Sequence, residues 1–330
     1  MAGRRTNLAL LVALGAALLT GGLAYGIGSG WNRWAVVFHA IAGFAVLALS
    51  PWKSTIIRRG LRRTRAGRAE SIGLGLAVVV SLVAGVLHAS GLAVNLGPLT
   101  AMQVHVGAAL IAVPLAVVHL IRRPQQPRRA DLSRRTLMRG GALLGAGGLA
   151  YLAVESALRV TSLAGADRRF TGSHERGSFD PEAMPVTQWL DDDVPEIDAD
   201  QWSLELAGES VTYADLARPD STVTATLDCT GGWYATQEWG GNWLSDLLGP
   251  RPERSVVVTS ATGYTRAFPM RDVSRLMLAT AVGGRPLSAG HGFPVRLVAP
   301  ERRGFWWVKW VVRVEPSNRP WWLQLPFPPT

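Results

Sequence analysis

"HGFPVRLVAPERRGFWWVKW" (residues 291–310) holds two short runs rich in β-branched and aromatic residues, "FPVRLVAP" (293–300) and the start of "WWVKWVVRVEP" (306–316), divided by a polar turn. Runs of this length bounded by Gly and Pro read as strands. Each carries a cation, Arg296 and Lys309, and His291 heads the segment. Taken singly these residues mean little, since an isolated arginine in a strand is usually a surface residue. Outward from here, "WSLELAG" (202–208), "STVTATLDC" (221–229) and "SVVVTSA" (255–261) are further strands, and "NWLSDLLG" (242–249) is a short helical piece. Residues 160–200 are polar, with "DDDVPEIDAD" at 191–200, and read as an extended arm. About 170 residues are enough for one core, so an α+β domain with mixed β-sheets is expected over 160–330.

The strand ending at Cys229 runs into "LDCTGGWYATQEWGG" (227–241), which holds the only cysteine of the 330 residues. One cysteine excludes an intrachain disulfide and any cysteine-rich zinc or iron–sulfur site. A side chain at a strand end before Gly-Gly is well placed to face a cleft, because glycines let a ligand approach the backbone. The local pattern leaves two readings open, a small residue packed under a turn and a metal ligand.

The formal net charge of +10 suggests nucleic acid until it is divided. Residues 1–158 carry 17 Lys/Arg against three acids, and residues 160–330 carry 16 against 21. A nucleic-acid role for the C-terminal half thereby loses its support. Five apolar runs, near 8–29, 34–51, 71–93, 99–121 and 137–158, approach or reach the roughly 20 residues that cross a bilayer. The basic stretches "KSTIIRRGLRRTRAGR" (53–68) and "RRPQQPRRADLSRR" (122–135) alternate with gaps that hold one arginine between them. Positive charge stays inside, which puts the N-terminus in the cytoplasm and residues 160–330 outside a cell membrane crossed five times. The expected domains are a four-helix membrane part (1–121), a basic cytoplasmic loop with the fifth helix (122–159) and the extracytoplasmic domain (160–330). "SRRTLMR" (133–139) resembles a twin-arginine export signal, with Arg134 and Arg135 as the pair and Leu137 where that signal often has Phe.

Four histidines lie in the apolar runs: His39, His88, His105 and His119. Ionisable groups within a bilayer are costly and need a reason. At about 1.5 Å per residue, the first three each sit roughly 8–9 Å from the outer end of their helix, with His119 near the inner end of its own. Paired histidines from facing helices ligate haem in membrane cytochromes b. The expectation is one haem b near the outer face, held by His105 and either His39 or His88. The alternative is hydrogen bonding between helices.

Three segments of the outer domain resemble the sulfite-oxidase family of molybdopterin enzymes. They are "LDCTGGW", "HGFPVRLVAPERRGFWWVKW" and, more weakly, "VPEIDADQWSLELAG" (194–208), covering roughly 185–316. The resemblance implies the sulfite-oxidase molybdopterin-binding fold, with Cys229 as the molybdenum ligand and His291, Arg296 and Lys309 on the pterin. Ser260, ahead of "GYTRAFP", falls where the family has another pterin contact. A thiolate is a soft ligand suited to such a metal, and Arg and Lys suit a phosphate as fork and point charge.

The departures bear on substrate. Where sulfite oxidases place oxyanion-gripping arginines, this chain has Gly232, Trp233 and Tyr234, with Trp189 and Leu190 in place of an Arg-Asn. The chain stops soon after Glu315, so it is expected to lack the family's dimer domain and late tyrosine. The pattern is more similar to the bacterial methionine-sulfoxide reductase catalytic subunit. The expected protein is a membrane-anchored enzyme reducing a small S-oxide or N-oxide, with electrons from quinone or another redox partner through haem b. Rivals are the same catalytic domain on a plain anchor with a soluble electron partner, a sulfite-type oxidase, and a non-enzymatic cofactor-binding protein.

Overall fold

The computed structural model describes residues 2–61, 68–124, 128, 131, 133–188 and 192–325. The basic stretches at 53–68 and 122–135 lie partly outside these residues, and Trp189 and Leu190 wholly outside. The chain divides into two compact units, Met1–His174 and Glu175–Thr330.

The first unit is built on α1 (Ala2–Gly26), α2 (Asn32–Leu61), α3 (Arg68–Ser90), α4 (Ala101–Arg122) and α5 (Arg134–Val160). All five are long and apolar enough to cross a membrane. Leu, Ala and Val dominate them, with hardly an acid to oppose the period. α2 continues about three turns past its expected end, through Pro51, whose carbonyl accepts from the Ser54 and Thr55 hydroxyls at 2.8 and 3.1 Å. A two-strand ribbon, β1 (Asn95–Leu96) and β2 (Leu99–Thr100), joins α3 to α4. α4 opens with a capping box, in which the Gln103 side chain takes the Thr100 N–H at 2.7 Å and the Thr100 hydroxyl takes the Gln103 N–H at 3.1 Å. α1 packs closely on α2, α3 on α4, and α5 on α2. Small residues set these approaches: a Cβ on Gly147 would stand 2.9 Å from the Ile41 carbonyl oxygen. Large apolar side chains such as Val12, Leu19, Leu110 and Leu149 point outward. After α5, a 3-10 turn (Ala164–Asp167) packs against α3 and α5, and the short strand β3 (His174–Glu175) marks the junction of the units.

The second unit has two sheets. β4 (Ser203–Leu206) and β5 (Glu209–Thr212) form a hairpin, followed by the one-turn helix α6 (Tyr213–Leu216). β6 (Ser221–Asp228) and β7 (Trp233–Trp243) make a long hairpin whose tip is Cys229–Gly232, and α7 (Leu244–Leu248) follows. β8 (Ser255–Ser260) and β9 (Thr265–Pro269) form a third hairpin. β10 (Met277–Val282) lies antiparallel to the end of β7, and carries β11 (Arg285–Pro286) and β12 (Arg296–Val298) on its other side. β13 (Val311–Ser317) runs parallel to β4 and antiparallel to β8, giving the second sheet the order β5-β4-β13-β8-β9. This is the α+β mixed-sheet domain expected, with differences inside it. Residues 307–310 are not strand, and β12 is only three residues long. Trp306 and Trp307 turn into the core, where their rings take up buried cations rather than lie on a pleat. β7 absorbs Asn242 and Trp243, leaving only five residues of the expected helix.

The close approach of β7 to β10 depends on Gly241, where a Cβ would stand 2.1 Å from the Leu278 carbonyl oxygen. Gly241→Ala is expected to force these strands apart and destabilise the second unit by about 1–3 kcal/mol or more. Guanidinium unfolding of the full chain, followed by tryptophan fluorescence, checks this as a lowered midpoint.

Candidate active site

The β6–β7 hairpin places the thiol. The Cys229 N–H donates to the Trp233 carbonyl at 2.9 Å and the Gly232 N–H to the Cys229 carbonyl at 3.2 Å, a tight tip that needs Gly232 at φ 93°. Sγ accepts from the Gly231 N–H at 3.3 Å. Cys229 is free and buried. Burial pushes its thiol up, while the Gly231 N–H, the Arg303 charge, the Thr187 hydroxyl and Lys309 pull the other way. Beneath it, the Arg303 guanidinium donates to the Asp228 carboxylate at 2.5 Å and to the Cys229 carbonyl at 3.1 Å. Both members of this ion pair are buried. Gly304 lies against the thiol's own backbone, since a Cβ there would stand 3.1 Å from Cys229 Cα.

One cavity brings together all five residues expected at the cofactor, Cys229, His291, Arg296, Lys309 and Ser260. Arg296 is 1% exposed, donates to the His291 carbonyl at 3.0 Å, and lies over the rings of Trp239 and Trp307 at 4.9 and 5.7 Å. Its Nε is buried with no acceptor among the described residues. Burial lowers Arg296 to about 9, against a small opposing pull from Cys229. Lys309 Nζ donates to the Thr187 and Gly290 carbonyls at 2.9 and 2.6 Å and to Gln188 Oε1 at 3.0 Å. Burial first, then the Arg296 charge, bring it to about 7. His291 is held near 4 by burial, Arg296 and Lys309. Its Nε2 bonds the Met184 carbonyl at 3.1 Å and Nδ1 meets the Ser288 hydroxyl at 2.9 Å, so both nitrogens are engaged by protein. The Ser260 hydroxyl meets Thr262 Oγ1 at 3.2 Å, and that hydroxyl donates to Asp192 at 3.2 Å.

Trp233, Tyr264, Phe305, Trp307 and Trp310 give the cavity its aromatic wall; Tyr234 is not among its lining residues. The donor set fits a sulfur-ligated, anionic group. Among the described residues, a thiol faces a space where three basic side chains meet one carboxylate, that of Asp192, and a buried arginine nitrogen lacks an acceptor. Thr187, Gln188, Asp192 and the Asp228–Arg303 pair are the lining or supporting residues that local sequence patterns do not single out. They reach the site through contacts spanning 70 or more positions.

The histidines of the first unit part company. His39 and His105 come together, with ring centroids 5.6 Å apart. His88 instead pairs with His174 at 4.9 Å and donates from Nε2 to the Gly172 carbonyl at 2.9 Å. His119 meets the Ser71 hydroxyl at 3.2 Å.

Two consequences are measurable. Arg303→Met strands the buried Asp228 carboxylate and is expected to cost about 3–5 kcal/mol, whereas Arg303→Met with Asp228→Leu costs less than the single change. A double-mutant cycle by denaturation checks this. Lys309, at about 7 when folded, lies below the ordinary lysine value, so its charged form costs stability below about pH 7. That cost is relieved as pH rises toward the ordinary lysine range near about 10. Protein purified without cofactor should therefore gain stability over this window, and Lys309→Met should flatten the gain.

Residues 191–322 match a family model described as the oxidoreductase molybdopterin binding domain. The chain is 29% identical over 163 residues to the mitochondrial sulfite oxidase of Rattus norvegicus, covering 37% of this chain and 30% of that protein. It is 29% identical over 164 residues to that of Homo sapiens, with the same two shares. Among solved structures, the sulfane dehydrogenase SoxCD from Paracoccus pantotrophus is 30% identical, with a TM-score of 0.36 over 38% of this chain and 40% of that one. The chain thus spans about 30% of the length of these curated relatives. Residues 191–322 are thus similar to the oxidoreductase molybdopterin binding domain and to the sulfite oxidases.

Proposed function

We propose that the chain is a membrane-anchored molybdenum–molybdopterin oxidoreductase that removes oxygen from a neutral S-oxide or N-oxide. The observation that carries this is the make-up of the cavity around Cys229. Its only basic lining residues, among those described, are His291, Arg296 and Lys309, which the resemblance assigns to the pterin. No further cation is left there to grip an oxyanion substrate, and Asp192 adds negative charge to the same wall.

The bound molybdenum cofactor would supply the two-electron couple and the oxygen-accepting metal. Cys229 contributes the sulfur ligand, steadied by the Gly231 N–H and by Arg303 beneath its carbonyl. Arg296 and Lys309 balance the pterin phosphate, with His291 and Ser260 beside them. Trp233, Tyr264 and Phe305 exclude water and favour an apolar substrate body. In the bundle, five apolar helices with outward-facing Leu and Val side chains support a cell-membrane anchor. The N-terminus would then be cytoplasmic and the catalytic domain extracytoplasmic, delivered by the twin-arginine-like Arg134–Arg135 motif. Electrons would come from the quinone pool through a haem b held by bundle histidines. A second reading, sulfite oxidation, draws support from the names of the curated relatives.

Purified full-length protein should contain molybdenum and pterin, and should reduce dimethyl sulfoxide or trimethylamine N-oxide with reduced viologen far faster than it oxidises sulfite. Cys229→Ser should lose at least about 100-fold, since even supporting residues of metal sites cost 10–100-fold. Robust sulfite turnover without S-oxide or N-oxide reduction would replace this reading with the second.

A further inference from the structure

His39 and His105 are bound in the same way on two different helices. His39 Nδ1 lies 2.8 Å from the Ala17 carbonyl oxygen on α1, and His105 Nδ1 lies 2.7 Å from the Ser81 carbonyl oxygen on α3, with the Ser81 hydroxyl, which donates to the His105 carbonyl, also 3.2 Å from that nitrogen. A carbonyl can only accept, so each Nδ1 carries the proton and each Nε2 keeps its lone pair. No hydrogen bond to either Nε2 is found among the described residues. Metal-bound histidines characteristically tie their other nitrogen to a backbone carbonyl in this way. Two such lone pairs in an apolar bundle are costly without a donor or a cation to receive them.

The packing around the rings points the same way. A Cβ on Gly21 of α1 would stand 3.0 Å from His39 Cε1, and one on Gly85 of α3 2.8 Å from His105 Nδ1. A side chain at either position would press on the imidazole it faces and shift it. Within the α1–α2 and α3–α4 pairs the backbones are closely packed, and no comparably close packing joins one pair to the other among the described residues. The imidazoles reach across that looser seam. A bare ion there would lack ligands, because no group of three His, Cys, Asp or Glu is found among the described residues. A porphyrin brings four nitrogens of its own and needs only two from the protein.

His88 faces a different ring. Its Nε2–H donates to the Gly172 carbonyl and its Nδ1 is buried without a partner among the described residues, but its ring stands against His174 rather than against His39 or His105. The geometry points to His39 and His105 as the two axial ligands of one six-coordinate haem b, each through Nε2, with His88 not a ligand. This rests on the haem-bearing reading above and names its ligands. The ring planes stand at 84°, and near-perpendicular imidazoles give ferric haem a highly anisotropic low-spin signal rather than a rhombic one.

The test uses the full chain in detergent, expressed with a haem precursor, with haem, molybdenum and pterin measured on one preparation. Pyridine haemochrome assay should give about one haem b per chain, and low-temperature electron paramagnetic resonance the anisotropic low-spin signal. His39→Ala and His105→Ala should each lower haem content about tenfold or more, while His88→Ala retains it. Because an alanine variant can fail to fold, His39→Met and His105→Met are the second pair. Each should keep haem, with a changed low-spin spectrum and a raised potential, as expected of Met/His ligation. Haem-free wild-type protein overturns the assignment whether or not molybdenum is present. So does loss of haem in His88→Ala with retention in His39→Ala. Haem bound as described in a chain without molybdenum would leave this assignment standing and sink the catalytic reading instead.

Discussion

The buried ion pair of Asp228 and Arg303 joins two of the stretches of chain that make the cavity around Cys229. Asp228 is the last residue of β6, immediately before the thiol, and Arg303 lies in the turn that leads to Lys309. Taking both charges out of water is expensive, and the pair is tolerable because the guanidinium also finds the Cys229 carbonyl. The strands on either side follow from this clamp. β6 must present Cys229 toward the turn, β12 must return along β10, and Lys309 then falls within reach of the Thr187 and Gly290 carbonyls.

Tryptophan does a second job in the same domain. Arg266 lies over the Trp306 ring at 4.0 Å, Arg302 over that same ring at 5.1 Å and over Trp321 at 5.8 Å, and Arg296 over Trp239 and Trp307. Aromatic faces thus receive guanidinium groups where carboxylates are scarce. Arg302 alone of these also has a carboxylate, Asp272 at 2.6 Å. The arrangement accounts for the turn of Trp306 and Trp307 into the core, while Trp322 stays 63% exposed.

Much of this was legible locally, and the rest was not for definable reasons. The helices were, because an apolar run of twenty residues has few alternatives. β6 and β8 were, from their β-branched residues. β7 was not: "WYATQEWGGNW" has a glycine pair and polar residues, and is a strand only because β6 and β10 flank it. Lys309 and Arg296 were placed by resemblance, but their acceptors, up to 122 positions away, leave no local trace. Among the histidines, spacing put His39, His88 and His105 at similar depth. The ring that each faces separates them, His39 and His105 facing one another and His88 facing His174.

The parallel ladder of β4 and β13 has a kinetic consequence. Its members are about a hundred positions apart, with Glu205 and Arg313 joined at 2.8 Å. Pairings this distant along the chain close slowly, because loop entropy is lost before any contact forms. The cavity likewise joins distant stretches, being lined by Pro185, Thr187, Gln188 and Asp192 at one extreme and by Phe305, Lys309 and Trp310 at the other. A chain interrupted before β13 holds every residue that lines the cavity, the last being Trp310, but lacks the strand that joins β4 to β8 and completes the second sheet.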